Sequence, residues 1–299
     1  MTFSKTKCKR WSFLRRASYL LLIPIVPRLI RFYFRFEVNG EEYISKFPEG
    51  KGVIFCVNHQ SHLDGFIVVS AVIIPFGKRR FLGFLGSGKI MQETLLGRFT
   101  LLWGGIPIFR ENPKPALDYA SRSLLEGFAV LITPQGRRFH RTPFHDYFNL
   151  AEEGRTGVGR IILVTNGEIP VVPLYIRGAA EALKPGTIVP KFRSYISVSF
   201  GEPLYFNQYS RQGGWSESDP DFYPKAREIT NKIMNSIRNQ FLITEKHYLD
   251  FLKLKFGAEI EKISVSSKEE REFNKLLHKL ARVPPKQIQE LLESKGSKL

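Results

Sequence analysis

Apolar residues in this chain fall either into short unbroken runs or into stripes at helical spacing, and their alternation predicts an order of elements. Gly52-Val53-Ile54-Phe55-Cys56-Val57, bounded by Lys51-Gly52 and rich in β-branched residues, reads as a fully buried strand of the parallel kind. The next run, Phe66 to Phe76, is the helix that follows it. Gly104 to Arg110 predicts a short strand ending in a cation. Pro113 or Pro115 starts a helix with the stripe Leu117, Ala120, Leu124 and Leu125, and Gly127 stops it before a second buried strand, Phe128 to Ile132. Strand, helix and strand in such quick succession form a βαβ unit, so the sheet is at least partly parallel.

Further along, Gly157 to Val164 predicts a helix, and Pro170 to Ile176 a strand whose prolines suit its start or an exposed edge. Tyr195 to Phe200 alternates polar and apolar residues as a half-buried strand does. Ile229, Ile233, Met234, Ile237 and Phe241 recur at helical spacing, so Pro224 to Phe241 packs as a helix on the core. Beyond Thr244 the chain is charged and helical, with Ser267 and Glu270 as a capping box and Pro284-Pro285 starting a last helix. Lys78-Arg79-Arg80 and the apolar residues from Phe81 to Trp103 form a basic and aromatic surface that either packs on the core or lines a path for an apolar substrate. The expected fold is therefore α/β: a mixed, partly parallel sheet flanked by helices, with an N-terminal membrane-anchoring helical segment and a C-terminal helical tail. The corresponding divisions are residues 1–36, 37–243 and 244–299.

Charge changes the picture most at the N-terminus. Lys5, Lys7, Lys9, Arg10, Arg15 and Arg16 precede an apolar run of 11 residues, Ala17 to Pro27, which contains Pro24 and Pro27 and falls well short of the ~20 residues a spanning helix needs. Arg28, Arg31 and Arg35 follow among aromatic residues, and no small-residue cleavage pattern marks a signal peptide. The segment reads as an interfacial anchor whose arginines reach lipid phosphates; a core-packed helix with a basic face is the other reading. The formal charge of +17 calls for an anionic partner. Residues 1 to 110 hold 17 Lys and Arg against 6 Asp and Glu, interleaved with Phe, Trp and Leu, which suits an anionic lipid surface on the cytoplasmic face of a membrane. No zinc-finger, zipper or ribonucleoprotein-type motif points to nucleic acid. Cys8 and Cys56 make no disulfide framework, in keeping with a reducing compartment.

The candidate chemistry sits where the first buried strand ends, at Asn58-His59-Gln60-Ser61-His62-Leu63-Asp64-Gly65. Open α/β sheets bind ligands at the carboxyl ends of their strands. On a regular helix His59 and Asp64 would point about 140° apart, so they can meet only across a bend. Ser61 as N-cap leaves His59 on the turn and Asp64 in the first helical turn, from which its carboxylate reaches back to the imidazole. Such a carboxylate fixes the tautomer and leaves the other ring nitrogen as a base for a hydroxyl proton. A satisfied polar histidine and a metal site of His59, His62 and Asp64 are the alternatives; no further ligand cluster supports the metal. Arg110, Arg137 and Arg138 end or follow predicted strands and are placed to share the edge of His59.

Four segments resemble, in order, the glycerolipid acyltransferase family typified by bacterial 1-acylglycerol-3-phosphate acyltransferase. His59 and Asp64 match its His-x4-Asp motif, with Asn58 and Ser61 as flanking residues. Gly105 to Arg110 is similar to its second motif, Pro134 to Arg138 to its Phe-Pro-Glu-Gly-Thr-Arg block, and Val171-Val172-Pro173 to its fourth. The resemblance spans roughly residues 35 to 205. It implies that His59, held by Asp64, takes a proton from an acceptor hydroxyl, which attacks an acyl-CoA or acyl carrier protein thioester directly, with no cofactor and no metal. It also implies that Arg110, Gln135, Gly136, Arg137 and Arg138 bind the phosphate-bearing lysolipid acceptor. Gln135 stands where the family has Glu and Arg137 where it has Thr, so the site loses a negative charge and gains a positive one. Lysophosphatidate is the family default; a more anionic or bulkier lysophospholipid or phosphoglycolipid is the competitor. A membrane-binding protein without turnover on the same scaffold is the rival of another class, and the intact pair speaks against it.

Overall fold

The structure is a computed structural model that describes residues 25–45, 47–48, 50–76, 82–138, 154–183, 187, 189–256, 275–276, 279–280 and 283–296. The cations from Lys5 to Arg16, most of the run Ala17 to Pro27, Lys78 to Phe81 and the capping box at Ser267 and Glu270 lie outside the described residues.

In chain order the described elements are α1 (Val26–Tyr33), β1 (Arg35–Asn39), α2 (Glu42–Ser45), β2 (Val53–Val57), α3 (Asp64–Phe76), β3 (Leu82–Ser87), α4 (Gly88–Glu93), α5 (Leu95–Leu102), β4 (Gly105–Ile108), α6 (Lys114–Leu125) and β5 (Ala129–Ile132). There follow α7 (Gly157–Val164), β6 (Val171–Arg177), α8 (Ala179–Ala182), β7 (Tyr195–Phe200), α9 (Phe222–Phe256) and α10 (Pro285–Gly296). The strands form one sheet in the order β1-β7-β6-β2-β5-β3-β4. Every neighbouring pair is parallel except β6 with β7. The carboxyl ends of β2 to β6 therefore share an edge with the amino ends of β1 and β7.

β2 is central and wholly buried because it has no polar face to offer. Ile54 and Cys56 enter one core with α6, α7 and the first half of α9, while Val53, Phe55 and Val57 enter another with α3 and α8. The parallel mixed sheet and its helical flanks are as expected. The helix α7 crosses α9 at close range: a Cβ on Gly159 would lie 2.0 Å from the carbonyl oxygen of Ala226.

Three strands differ from expectation, each for a packing reason. The local pattern does not predict β3, since Gly83 and Gly86 interrupt it; those glycines make room for the side chains of Ile106 and Met91. β6 is central rather than an edge, and Pro173 lies inside it. Its carbonyl accepts from the Gly201 amide at 2.8 Å, one residue past the end of β7, so the donor it lacks is missing where the ladder has run out. β7 is fully buried rather than half-buried: Ser197 and Ser199 are as covered as Ile196 and Val198, because β7 lies between β1 and β6 with helices on both sides.

The helix beginning near Pro224 continues past Phe241 to Phe256. Its second half packs Phe241, Tyr248, Leu249 and Leu252 against Tyr175, Leu280 and Ile288. Arg177, at the end of β6, is buried there: it pairs with Glu245 at 3.2 Å, donates to the Leu280 carbonyl at 3.1 Å and lies 3.5 Å over the Tyr248 ring. Among the described residues no helix is long and apolar enough to cross a membrane.

Candidate active site

Asn58 ends β2 with its side chain in place of backbone. Its Oδ1 accepts from the Ile176 amide at 2.7 Å and its Nδ2 donates to the Ile176 carbonyl at 2.9 Å, so the ladder between β2 and β6 is completed by a side-chain amide. The backbone is thereby released from the sheet and can bend at once, which puts His59 on a turn at the carboxyl edge.

The turn closes on one oxygen. Asp64 Oδ2 accepts from the Gln60 amide at 2.7 Å, the Ser61 amide at 3.0 Å and His59 Nδ1 at 2.7 Å. Asp64 occupies the first turn of α3, where unpaired amides favour a carboxylate. Ser61 Oγ accepts from the Leu63 amide at 3.3 Å, a local turn that starts the helix. Because an ionised carboxylate only accepts, His59 carries its proton on Nδ1 and keeps the lone pair on Nε2. The Asp64 side chain is 4% exposed and that of His59 27%, so the dyad is anchored inside and reachable from outside.

β5 neighbours β2, so the turn after β5 lies beside His59. The Gln135 side chain is buried, and its Oε1 accepts from the His59 backbone amide at 2.7 Å. Expected as an acceptor ligand, Gln135 here gives its oxygen to the backbone amide of His59. Gly136 adopts φ +65 in the same turn, and a Cβ there would strike the Arg155 side chain. Arg155 also donates its amide to the Pro134 carbonyl at 2.7 Å, and its exposed guanidinium joins the loop of Arg137 and Arg138. Arg137 is exposed, and Arg138 Nη1 donates to His62 Nε2 at 2.8 Å. Arg110 follows β4 and is exposed on the same edge, three strand positions from β2, or about 14 Å at ~4.8 Å per strand. Lys89, exposed in the first turn of α4, follows the intervening β3. Neither Arg155 nor Lys89 stands out in the sequence: Arg155 reaches the loop only through the fold, and Lys89 follows a strand whose pattern is broken by glycine.

His62 is held below its ordinary value of 6.5, first by burial and then by the charges of Arg138 and His59, with Asp64 opposing. Among the described residues no group of three or more His, Cys, Asp or Glu side chains is arranged to hold a metal ion. Cys56, on β2, is fully buried, and burial pushes its thiol far above the usual range, which removes it as a nucleophile. Chemically, the arrangement can serve as a general base with a fixed tautomer, next to a turn that carries cations.

Residues 35–177 match the Acyltransferase family. The matched segment begins with β1 and ends with β6, and it holds His59, Asp64, Arg110 and the 134–138 turn. Comparison with curated proteins yields no match. Among solved structures the chain is similar to the 1-acyl-sn-glycerophosphate (LPA) acyltransferase from Thermotoga maritima, at 17% identity and a TM-score of 0.46, over 75% of this chain and 81% of that one.

Proposed function

Because residues 35–177 place the chain among the acyltransferase enzymes, we propose that it moves a fatty acyl group from an acyl thioester to a hydroxyl of a phosphate-bearing lysolipid at a membrane surface. The observation that carries the reading is the 2.7 Å bond from His59 Nδ1 to Asp64 Oδ2, which leaves Nε2 as the base at the sheet edge. The acceptor hydroxyl gives its proton to Nε2 as its oxygen attacks the thioester carbonyl. The C–S bond breaks, an ester forms, and the proton passes from the imidazolium to the departing thiolate. No residue is acylated. Asp64 keeps the ring oriented and stabilises the imidazolium while it lasts.

Arg137 and Arg138 follow β5 beside this base and the Arg155 side chain lies against Gly136 of the same turn, and charge-assisted bonds from them to a phosphate fix which hydroxyl faces Nε2. Lysophosphatidate satisfies that chemistry. Three guanidinium groups around one turn also favour an acceptor of higher negative charge, and Gln135, neutral where the resembling family carries Glu, adds no repulsion. The donor is an acyl-CoA or an acyl carrier protein thioester.

The test is an acyl-transfer assay on the purified chain with lysophosphatidate and a panel of other lysolipids, against both donors. Ester formation should depend on His59: His59→Ala and Asp64→Asn should each lower kcat by about 10²- to 10⁴-fold, the usual worth of a positioned general base, with an unchanged circular dichroism spectrum. Near-normal turnover in either variant would remove the base assignment.

A further inference from the structure

α1 carries two apolar stripes, whereas a helix on the surface of a protein needs only one. Pro27, Ile30 and Tyr33 face inward. Ile25, Leu29 and Phe32, spaced at four and three residues along the other side, are 44%, 58% and 78% exposed. A second segment meets the end of α1 at Tyr33. The 189–194 loop is tied to the end of α1 by the Tyr33 hydroxyl, which donates to the Pro190 carbonyl at 2.5 Å, and by the Arg193 amide, which donates to the Tyr33 carbonyl at 2.8 Å. Phe192 stands edge-on to the Tyr33 ring at 5.3 Å and is still 55% exposed; Val189 is 73% exposed. The loop holds Arg193 at φ 55, a left-handed conformation unfavourable for its side chain, between residues fixed to α1 and to β1. Two segments distant in sequence are thus locked together with their large apolar side chains outward.

The charges around this patch have one sign. Residues 25–36 carry Arg28, Arg31 and Arg35, residues 187–194 carry Lys191 and Arg193, and neither stretch has an acidic residue. All five cations are exposed. Apolar tips inside a rim of cations match the acyl boundary and phosphates of an anionic bilayer, with long basic side chains reaching back to the headgroups. Location agrees with this chemistry: α1 enters β1 and the loop enters β7 at their amino ends, Arg35 pairs with Tyr195, and that edge carries His59 three strand positions away.

We propose that Val189 and Phe192 insert into an anionic lipid interface beside Leu29 and Phe32, so that the 189–193 loop is a second membrane contact opening the His59 edge toward the lipid surface. This rests on the membrane-associated reading above. The test uses the full chain and vesicles of phosphatidylcholine with or without phosphatidylglycerol. The indole of a Phe192→Trp variant should shift its emission to the blue when phosphatidylglycerol vesicles are added, and Val189→Ser with Phe192→Ser should weaken vesicle binding by about tenfold or more, two side chains' worth of partial burial. If the indole does not shift while Leu29→Ser with Phe32→Ser loses binding, the loop inference falls and the membrane reading stands. If the unaltered chain does not bind vesicles of either composition, both fall.

Discussion

Asp64 Oδ2, Gln135 Oε1 and the Asn58 amide hold His59 by its ring, its own amide and the end of its strand, and each can be removed separately. Gln135→Leu deletes the acceptor of the His59 amide while keeping the bulk, so a buried N–H is left unpaired at a cost of about 1–3 kcal/mol. It should lower both the urea midpoint and kcat, whereas Gln135→Glu, which keeps an accepting oxygen, should spare the midpoint; equal losses in both variants would place the effect elsewhere. His62 supplies a pH signal. Burial and Arg138 hold its pKa below 6.5, so the folded chain favours the neutral ring that accepts from Arg138. With a depressed folded value, its contribution to stability is present above about pH 6.5 and is lost as pH falls through the lowered value. An NMR titration should find the His62 midpoint below 6.5, and Arg138→Gln should move it back upward.

Between elements, a fully buried ion pair joins β6 to α9 and to the chain before α10. Arg177 and Glu245 are 1% and 0% exposed, and Tyr175 also donates to Glu245 at 3.0 Å. Taking away one partner strands the other charge in the interior, so Glu245→Ala should cost about 3–5 kcal/mol in urea unfolding. Replacing both, as Arg177→Met with Glu245→Leu, should cost less than the single change, because no uncompensated charge remains. The contact also bears on the site. Ile176, the residue before Arg177, holds Asn58, so the C-terminal helices brace the strand end from which His59 turns.

For the whole molecule, the charge of +17 and the cations on one sheet edge predict how binding responds to salt. Vesicle sedimentation in the presence of phosphatidylglycerol should fall steeply as ionic strength rises toward 1 M, where the Debye length is about 3 Å, and should keep a residue that reflects apolar insertion. Binding indifferent to both salt and lipid charge would sever the link between net charge and the membrane.

Local pattern alone determined the buried parallel strands β2 and β5, the βαβ succession through α6, the helices α3 and α7, and the bend that lets Asp64 reach His59. These follow from runs, caps and chain geometry, which act over a few residues. The order of the strands was beyond it, because pairing across the sheet depends on which faces all helices can cover together. β3, with glycines shaped to Ile106 and Met91, and β7, with serines buried by neighbours far along the chain, are intelligible only from those neighbours. The same holds in the site: residue types and spacing pointed to His59, Asp64 and the arginines, while the bond from the His59 amide to Gln135 arose from β2 lying beside β5, and Arg155 came against Gly136 through its amide's bond to Pro134. Spacing specifies contacts within a turn; contacts between strand ends 76 residues apart exist only once the sheet has formed.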